Sequence, residues 1–200
     1  MTETDNNYDP AMPRWEPDAR SRLVDAAMAL YAKRGFDDTT VAEIAKRAGL
    51  TERTFFRHFA DKREVLFGGT AAMEELLVSS VENAPQACSP LEAAAAGLEA
   101  TAAAIQELQE FARQRHAIIA ANAELREREL IKLASWSAAL AEALRRRGVA
   151  DPTASLTGEI AIAVFRVAFE RWVGEAGDKD FRRVIRETLD GLGAATAGAR

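Results

Sequence analysis

Glu52, Arg53, Thr54, Phe56, Arg57 and His58 stand within seven residues, interrupted only by the apolar Phe55. Most of these side chains suit hydrogen bonding to planar partners. Arginine reads guanine with two parallel bonds, threonine meets a base edge or a phosphate, and glutamate accepts from cytosine. Chemistry of this kind requires a short rigid rod that shows one face to a groove. The flanking residues supply one.

Thr51 is a good N-cap for a helix from Glu52 to about Phe59, and Leu50 with Phe55 occupies the two positions of a hydrophobic staple. Upstream, Thr40-Val-Ala-Glu43 is a capping box, in which the two side chains satisfy each other's free backbone donors. The helix it opens passes through Ile44 and Ala45 and ends at Gly49. Small residues at Ala45 and Gly49 let two helices cross closely, while Ile44, Leu50, Phe55 and Phe59 form a small core. Two capped helices joined by a glycine-containing turn make a helix-turn-helix. A preceding helix is expected from near Pro17, with Leu23, Ala26, Ala27, Leu30 and Tyr31 as its apolar stripe and Gly35 as its stop.

The stretch Thr39-Thr-Val-Ala-Glu-Ile-Ala-Lys-Arg-Ala-Gly-Leu-Thr-Glu-Arg-Thr-Phe-Phe-Arg-His-Phe-Ala-Asp-Lys62 resembles the N-terminal domain of the TetR family of regulators. Thr, Ile-Ala, Ala-Gly, Thr, aromatic, His-Phe and Lys follow in that family's order and spacing, and the likeness covers about residues 18–67. It implies that Thr40 and Lys62 hold phosphates at the two edges of the unit. Arg53 and Thr54 would face base edges, with Glu52 beside them, and His58 would meet the DNA backbone. Phe56 stands where the family has tyrosine, so the hydroxyl bond to phosphate gives way to packing on a thymine methyl or a sugar. Thr51 and Arg57 complete the DNA-facing set, although Thr51 is also a cap and Arg57 can equally turn toward the head's own body.

Charge divides along the chain in the matching sense. Arg14 to Phe67 holds eleven basic and nine acidic residues, whereas Gly68 onward holds fifteen and nineteen. A basic head on an acidic body fits a nucleic-acid reader better than the overall charge of −5 does. With 200 residues, abundant alanine and no run of roughly 20 apolar residues, the chain is expected to be all-α and not membrane-spanning. The polar start is not expected to be a signal peptide, and the single Cys88 fits an expected cytoplasmic location. Three parts are expected: a disordered tail over 1–14, the head over 15–67, and a helical ligand-binding and dimerisation bundle over 68–200.

In that body, Asp61 to Glu64 repeats the capping pattern and is expected to open one helix running toward Val81. Further helices are expected over Leu91–Gln114, Ala123–Arg147, Pro152–Gly174 and Asp178–Leu192, with Gly148, Gly174 and Gly177 as punctuation. Phe111, Trp136, Phe165, Phe169 and Trp172 are candidates to line a cavity between helices, or to be ordinary core. Arg115, within Arg113-Gln-Arg-His116, is a candidate partner for an anionic group. The stretch from there through Asn122-Ala-Glu-Leu-Arg-Glu-Arg128 is similar to a TetR branch that includes some sensors of acyl-CoA-type ligands. Leu156, Ile160, Val164 and Val167 form one apolar stripe and Val184, Ile185, Thr188, Leu189 and Leu192 another, expected to pair in a homodimer as a four-helix bundle.

No metal or cofactor is implied, since His58 and His116 are the only histidines and lack carboxylate or thiol neighbours at ligand spacing. Neither a phosphate loop nor a nucleophile elbow occurs, so an enzyme is not expected. The pattern points to a ligand-responsive repressor that binds a palindromic operator as a dimer and is released by a small hydrophobic or amphipathic effector. An activator, and a helical interaction module carrying a head-like unit, remain alternatives at this level.

Overall fold

A computed structural model describes residues 18–175 and 179–196. The expected tail, the start near Pro17 and the punctuation at Gly177 lie outside the described residues. Every described element is a helix. The first, α1 (Ala19–Arg34), begins where the Asp18 carboxylate accepts from the Ser21 N–H at 2.7 Å. It stops at Gly35, with Lys33 and Arg34 in the last turn against the negative end of the helix dipole. Next come α2 (Val41–Arg47) and α3 (Glu52–His58), capped by Thr40 and Thr51. Between them Gly49 has φ +66°, a left-handed conformation costly to residues with a Cβ, so the turn requires glycine there. Leu23, Tyr31, Ile44, Phe55 and Phe59 close the core beneath α3.

The helix expected from Asp61 to Val81 is two. Asp61 Oδ1 accepts from the N–H groups of Arg63 and Glu64. The one-turn α4 (Glu64–Phe67) that follows stops at Gly68-Gly69, and α5 (Thr70–Glu82) resumes. Consecutive glycines are poor helix formers, and the Thr70 hydroxyl takes the Phe67 carbonyl at the break. The run expected from Leu91 to Gln114 also divides, into α6 (Pro90–Gln106) and α7 (Gln109–Ala120). The Gln106 side chain there accepts from the Phe181 N–H at 2.7 Å and starts a helix 75 residues away. Then α8 (Ala123–Arg146) begins at an Asn122 cap, followed by α9 (Thr153–Gly174) and α10 (Phe181–Thr196).

Two apolar cores result. The body core stacks Trp172 on Phe181, ring centres 4.5 Å apart, and the indole N–H donates to the Lys179 carbonyl. Helices α8 and α9 approach so closely that a Cβ on Gly158 would lie 2.6 Å from the Ser137 carbonyl oxygen. The core under the head draws in Ile118, Ile119 and Leu125 from the α7–α8 junction, so head and body share packing there. The α9 stripe differs from expectation: Val164 is buried, and the exposed apolar line is Leu156, Ile160, Ala163 and Val167. On α10, Val184 and Ile185 are buried in the subunit's own core, with Leu189 and Leu192 packed against it. Two of the five stripe residues assigned to a partner are therefore consumed within one subunit, while Thr188, Leu189 and Leu192 stay half-buried, because α10 covers α6 and α9.

Candidate functional site

The exposed face of α3 is held by local bonds. Thr51 Oγ1 accepts from the Thr54 N–H at 3.1 Å and lies 3.0 Å from the Thr54 hydroxyl, which fixes the first turn. Glu52, Arg53, Phe56 and Arg57 are exposed, and Thr54 is half-buried among them. Phe56, more than half exposed, is a large apolar ring on an otherwise charged surface. Among the described residues the side chains of Glu52, Arg53 and Arg57 make no ion pair or hydrogen bond, so nothing competes for them. Behind α3, Phe55 is fully buried, so the rod is anchored through its inner face.

Thr40 is exposed at the start of α2. Its hydroxyl donates to Glu43 Oε2 at 2.8 Å, and Glu43 in turn accepts from the Thr40 N–H and pairs with Arg34 at 2.7 Å. The Thr40 backbone N–H, then Arg34 and the Thr40 hydroxyl, hold the Glu43 carboxyl down to about 2. His58 has its Nε2 enclosed and unpartnered, so that nitrogen does not reach outward from α3.

Lys62, expected at a phosphate, has its ammonium engaged within the chain. Its ammonium donates to the carbonyls of Phe36 at 2.9 Å, Asp37 at 3.1 Å and Thr39 at 2.9 Å, and lies 4.4 Å from the Phe36 ring centre. All three of its protons are committed. The side chain thus clamps the α1–α2 loop, while the Lys62 carbonyl accepts from the buried Tyr31 hydroxyl at 2.7 Å. Burial pushes that phenol up, so it stays a donor.

In the body a cavity of about 760 Å³ lies among α1, the α4–α5 break, α6, α7, α8 and α9. All five residues proposed for ligand contact, Phe111, Arg115, Trp136, Phe165 and Phe169, line it. Trp172 does not; it is fully buried against Phe181. Phe165 and Phe169 stack with their centres 5.9 Å apart, and the edge of His116 meets Phe169. Sequence reasoning missed Arg126, Leu130 and Leu133 on α8 and Arg166 on α9. Arg126, Glu129, Leu130, Leu133 and Trp136 follow helical spacing on one face, a signal that could have found most of them. The side chains of Arg126, Lys132 and Arg166 have no ionic or hydrogen-bond partner among the described residues. Arg20 and Val24 of α1 also line the cavity, so its wall includes the head's first helix.

Head and body are tied elsewhere by Arg63 to Glu124, Arg128 to Glu64, and the Asn122 amide to Asp37 at 3.2 Å.

An outward-facing helix of a helix-turn-helix on a helical body with a cavity defines the class of helix-turn-helix regulators. The profile described as bacterial regulatory proteins, tetR family, matches residues 23–67, and that of the MftR C-terminal domain matches 88–197. The chain belongs to the TetR family of transcriptional regulators and is not an enzyme. TcmR of Streptomyces glaucescens, a helix-turn-helix regulator, is 33% identical over 88 residues, which span 44% of this chain and only 39% of that protein. The regulator MftR of Mycobacterium tuberculosis is 27% identical over 154 residues, 76% of this chain and 78% of that one. The fold is shared with FadR of Bacillus subtilis, solved with stearoyl-CoA, at a TM-score of 0.63 and 18% identity, covering 90% of this chain and 99% of that one. Among the described residues no helix is long and apolar enough to cross a membrane.

Proposed function

We propose that the protein is a cytoplasmic, dimeric repressor that binds a palindromic operator and releases it when an amphipathic effector enters the cavity. The observation carrying this reading is that one cavity is walled both by body aromatics and by α1 and the α4–α5 break, so a ligand touches the head directly. On DNA, Arg53 reads a base edge with Thr54 and Glu52, Phe56 packs on a thymine methyl or sugar, and Thr40, Thr51 and Arg57 meet the backbone, whereas His58, with its Nε2 enclosed, reaches it only through a turn of its ring. Lys62 holds the unit together and does not touch phosphate. The exposed line Leu156, Ile160, Ala163 and Val167 pairs with its copy and sets the two recognition helices about 34–36 Å apart.

For the effector, the aromatic floor suits an apolar chain, and the unpartnered Arg126, Lys132 and Arg166 suit an anionic head group. An acyl-CoA-like molecule has both parts, and FadR of the same fold was solved with one. By linkage, effector and operator weaken each other's binding by about 1–3 kcal/mol.

The test is selection of genomic fragments with the full-length protein, followed by titration of wild type and Arg53→Ala on the recovered site. A palindrome, with Arg53→Ala losing about 1–3 kcal/mol and relaxing one position per half-site, is expected. Selection of no sequence above background would remove the reading.

A further inference from the structure

A repressor of this kind needs a mechanical link from cavity to head, and two arginines lie where such a link must run. The α4 helix has four residues, so its carbonyls find few acceptor roles within the helix and depend on outside donors. Arg115 Nε, from α7 in the body, donates to the Leu66 carbonyl at 2.7 Å. Arg20 Nη2, from α1 in the head, donates to the Gly68 carbonyl at 2.8 Å. Each guanidinium also rests over an aromatic ring, Arg115 at 5.1 Å from the Phe67 centre and Arg20 at 5.2 Å from that of Phe59. Both arginines line the cavity, and the carbonyls they hold flank the start of the Gly68-Gly69 break.

We propose that Arg20 and Arg115 are positioning residues that form a paired latch on the C-terminal end of α4, opened when an anionic oxygen of a cavity ligand takes their donors. This rests on the ligand-responsive reading of the same cavity. The acceptors now in place are neutral carbonyls, and a charged oxygen accepts more strongly from a guanidinium. Arg115 keeps a second anchor, Glu129 at 2.8 Å, so it can turn toward a ligand without leaving the wall. Arg20 has no carboxylate partner among the described residues. Losing both carbonyl contacts leaves α4 joined to α5 through two glycines, the most pliable link the backbone offers, and the single Thr70–Phe67 bond. The head then reorients relative to the body, because α1 and α4 no longer move as one.

Two neighbouring glycines provide the test. A Cβ on Gly68 would lie 2.3 Å from Arg20 Nη2 and evict it, whereas a Cβ on Gly69 meets nothing within 4 Å. Both positions have right-handed helical backbone, so alanine fits either and stiffens both alike. Hydrogen exchange of the peptide spanning 64–72 is measured in full-length wild type, Gly68→Ala, Gly69→Ala, Arg115→Met and Arg115→Lys, and each is titrated with the selected operator. Gly68→Ala and Arg115→Met should speed exchange at 66–70 by about tenfold and weaken operator binding by about fivefold or more without ligand. Gly69→Ala should do neither, and Arg115→Lys, which can still donate to Leu66, should recover most of the loss. The melting temperature of Gly68→Ala should stay within about 2 °C of wild type.

Equal behaviour of Gly68→Ala and Gly69→Ala, or no rescue by Arg115→Lys, would overturn the latch. If exchange follows this pattern while wild type selects no DNA, the latch stands and the operator-binding reading fails. If operator binds and exchange does not respond, the latch alone fails.

Discussion

Lys62→Met separates two jobs that the same residue type can do at this place. The substitution keeps the stem and removes the ammonium, so three carbonyl contacts and the Phe36 ring contact disappear together. The Phe36 carbonyl retains the Thr39 N–H at 3.2 Å, but among the described residues no other donor reaches those of Asp37 and Thr39. Bonds from a charged donor contribute about 1.5–3 kcal/mol when buried. Lys62 is only half-buried, so about 1 kcal/mol for each of the two better-shielded bonds is a fairer figure. The ring contact adds roughly 0.5–1 kcal/mol. The expected loss is therefore about 2.5–3 kcal/mol, or roughly 5–12 °C in melting temperature for a chain of this size. A phosphate-binding lysine would leave stability alone and flatten the dependence of log K on log salt by about 0.9. Urea unfolding and a salt series of operator titrations, run on the same two proteins, read both quantities. Unchanged stability with a slope shallower by about 0.9 would refute the clamp and restore the phosphate contact.

Other outcomes test separate parts of the argument. Glu43 is held at about 2, so its contribution is present above the ordinary value near about 4.3 and is lost as pH falls toward 2. The difference in urea midpoint between wild type and Glu43→Gln should accordingly shrink between about pH 5 and pH 2, and a constant difference would contradict the cap network. Gly158→Ala should cost about 1–3 kcal/mol by pressing a methyl onto the Ser137 carbonyl, and an unchanged midpoint would mean that α8 and α9 part easily. Ile160→Glu, placed on an exposed position, should yield a folded monomer by analytical ultracentrifugation, whereas a retained dimer would move the interface off the α9 stripe.

The features readable from the chain alone share one physical property: their energy comes from residues within a turn of one another. The Thr40–Glu43 box and the Thr51 cap are bonds spanning three residues, and both form as read. Helical spacing likewise put Phe165 and Phe169 on one face, and both line the cavity with Phe111, Arg115 and Trp136. Other features depend on partners far along the chain. Lys62 finds its carbonyls 23 to 26 residues upstream. Gln106 leaves its own helix end to start α10, and Arg20 reaches Gly68 across 48 residues. An apolar stripe says that a helix must be covered, but not by what. Val184 and Ile185 would satisfy a partner subunit or their own core equally well, and only the packing of α10 against α6 and α9 chose the latter. Local hydrogen bonds and periodicity thus determined the capped helices of the head and the exposed face of α3, but not the breaks at Gly68-Gly69 and after Gln106. The destination of each long cation and each apolar stripe was decided by tertiary packing, because burial is non-directional and several distant surfaces can satisfy it.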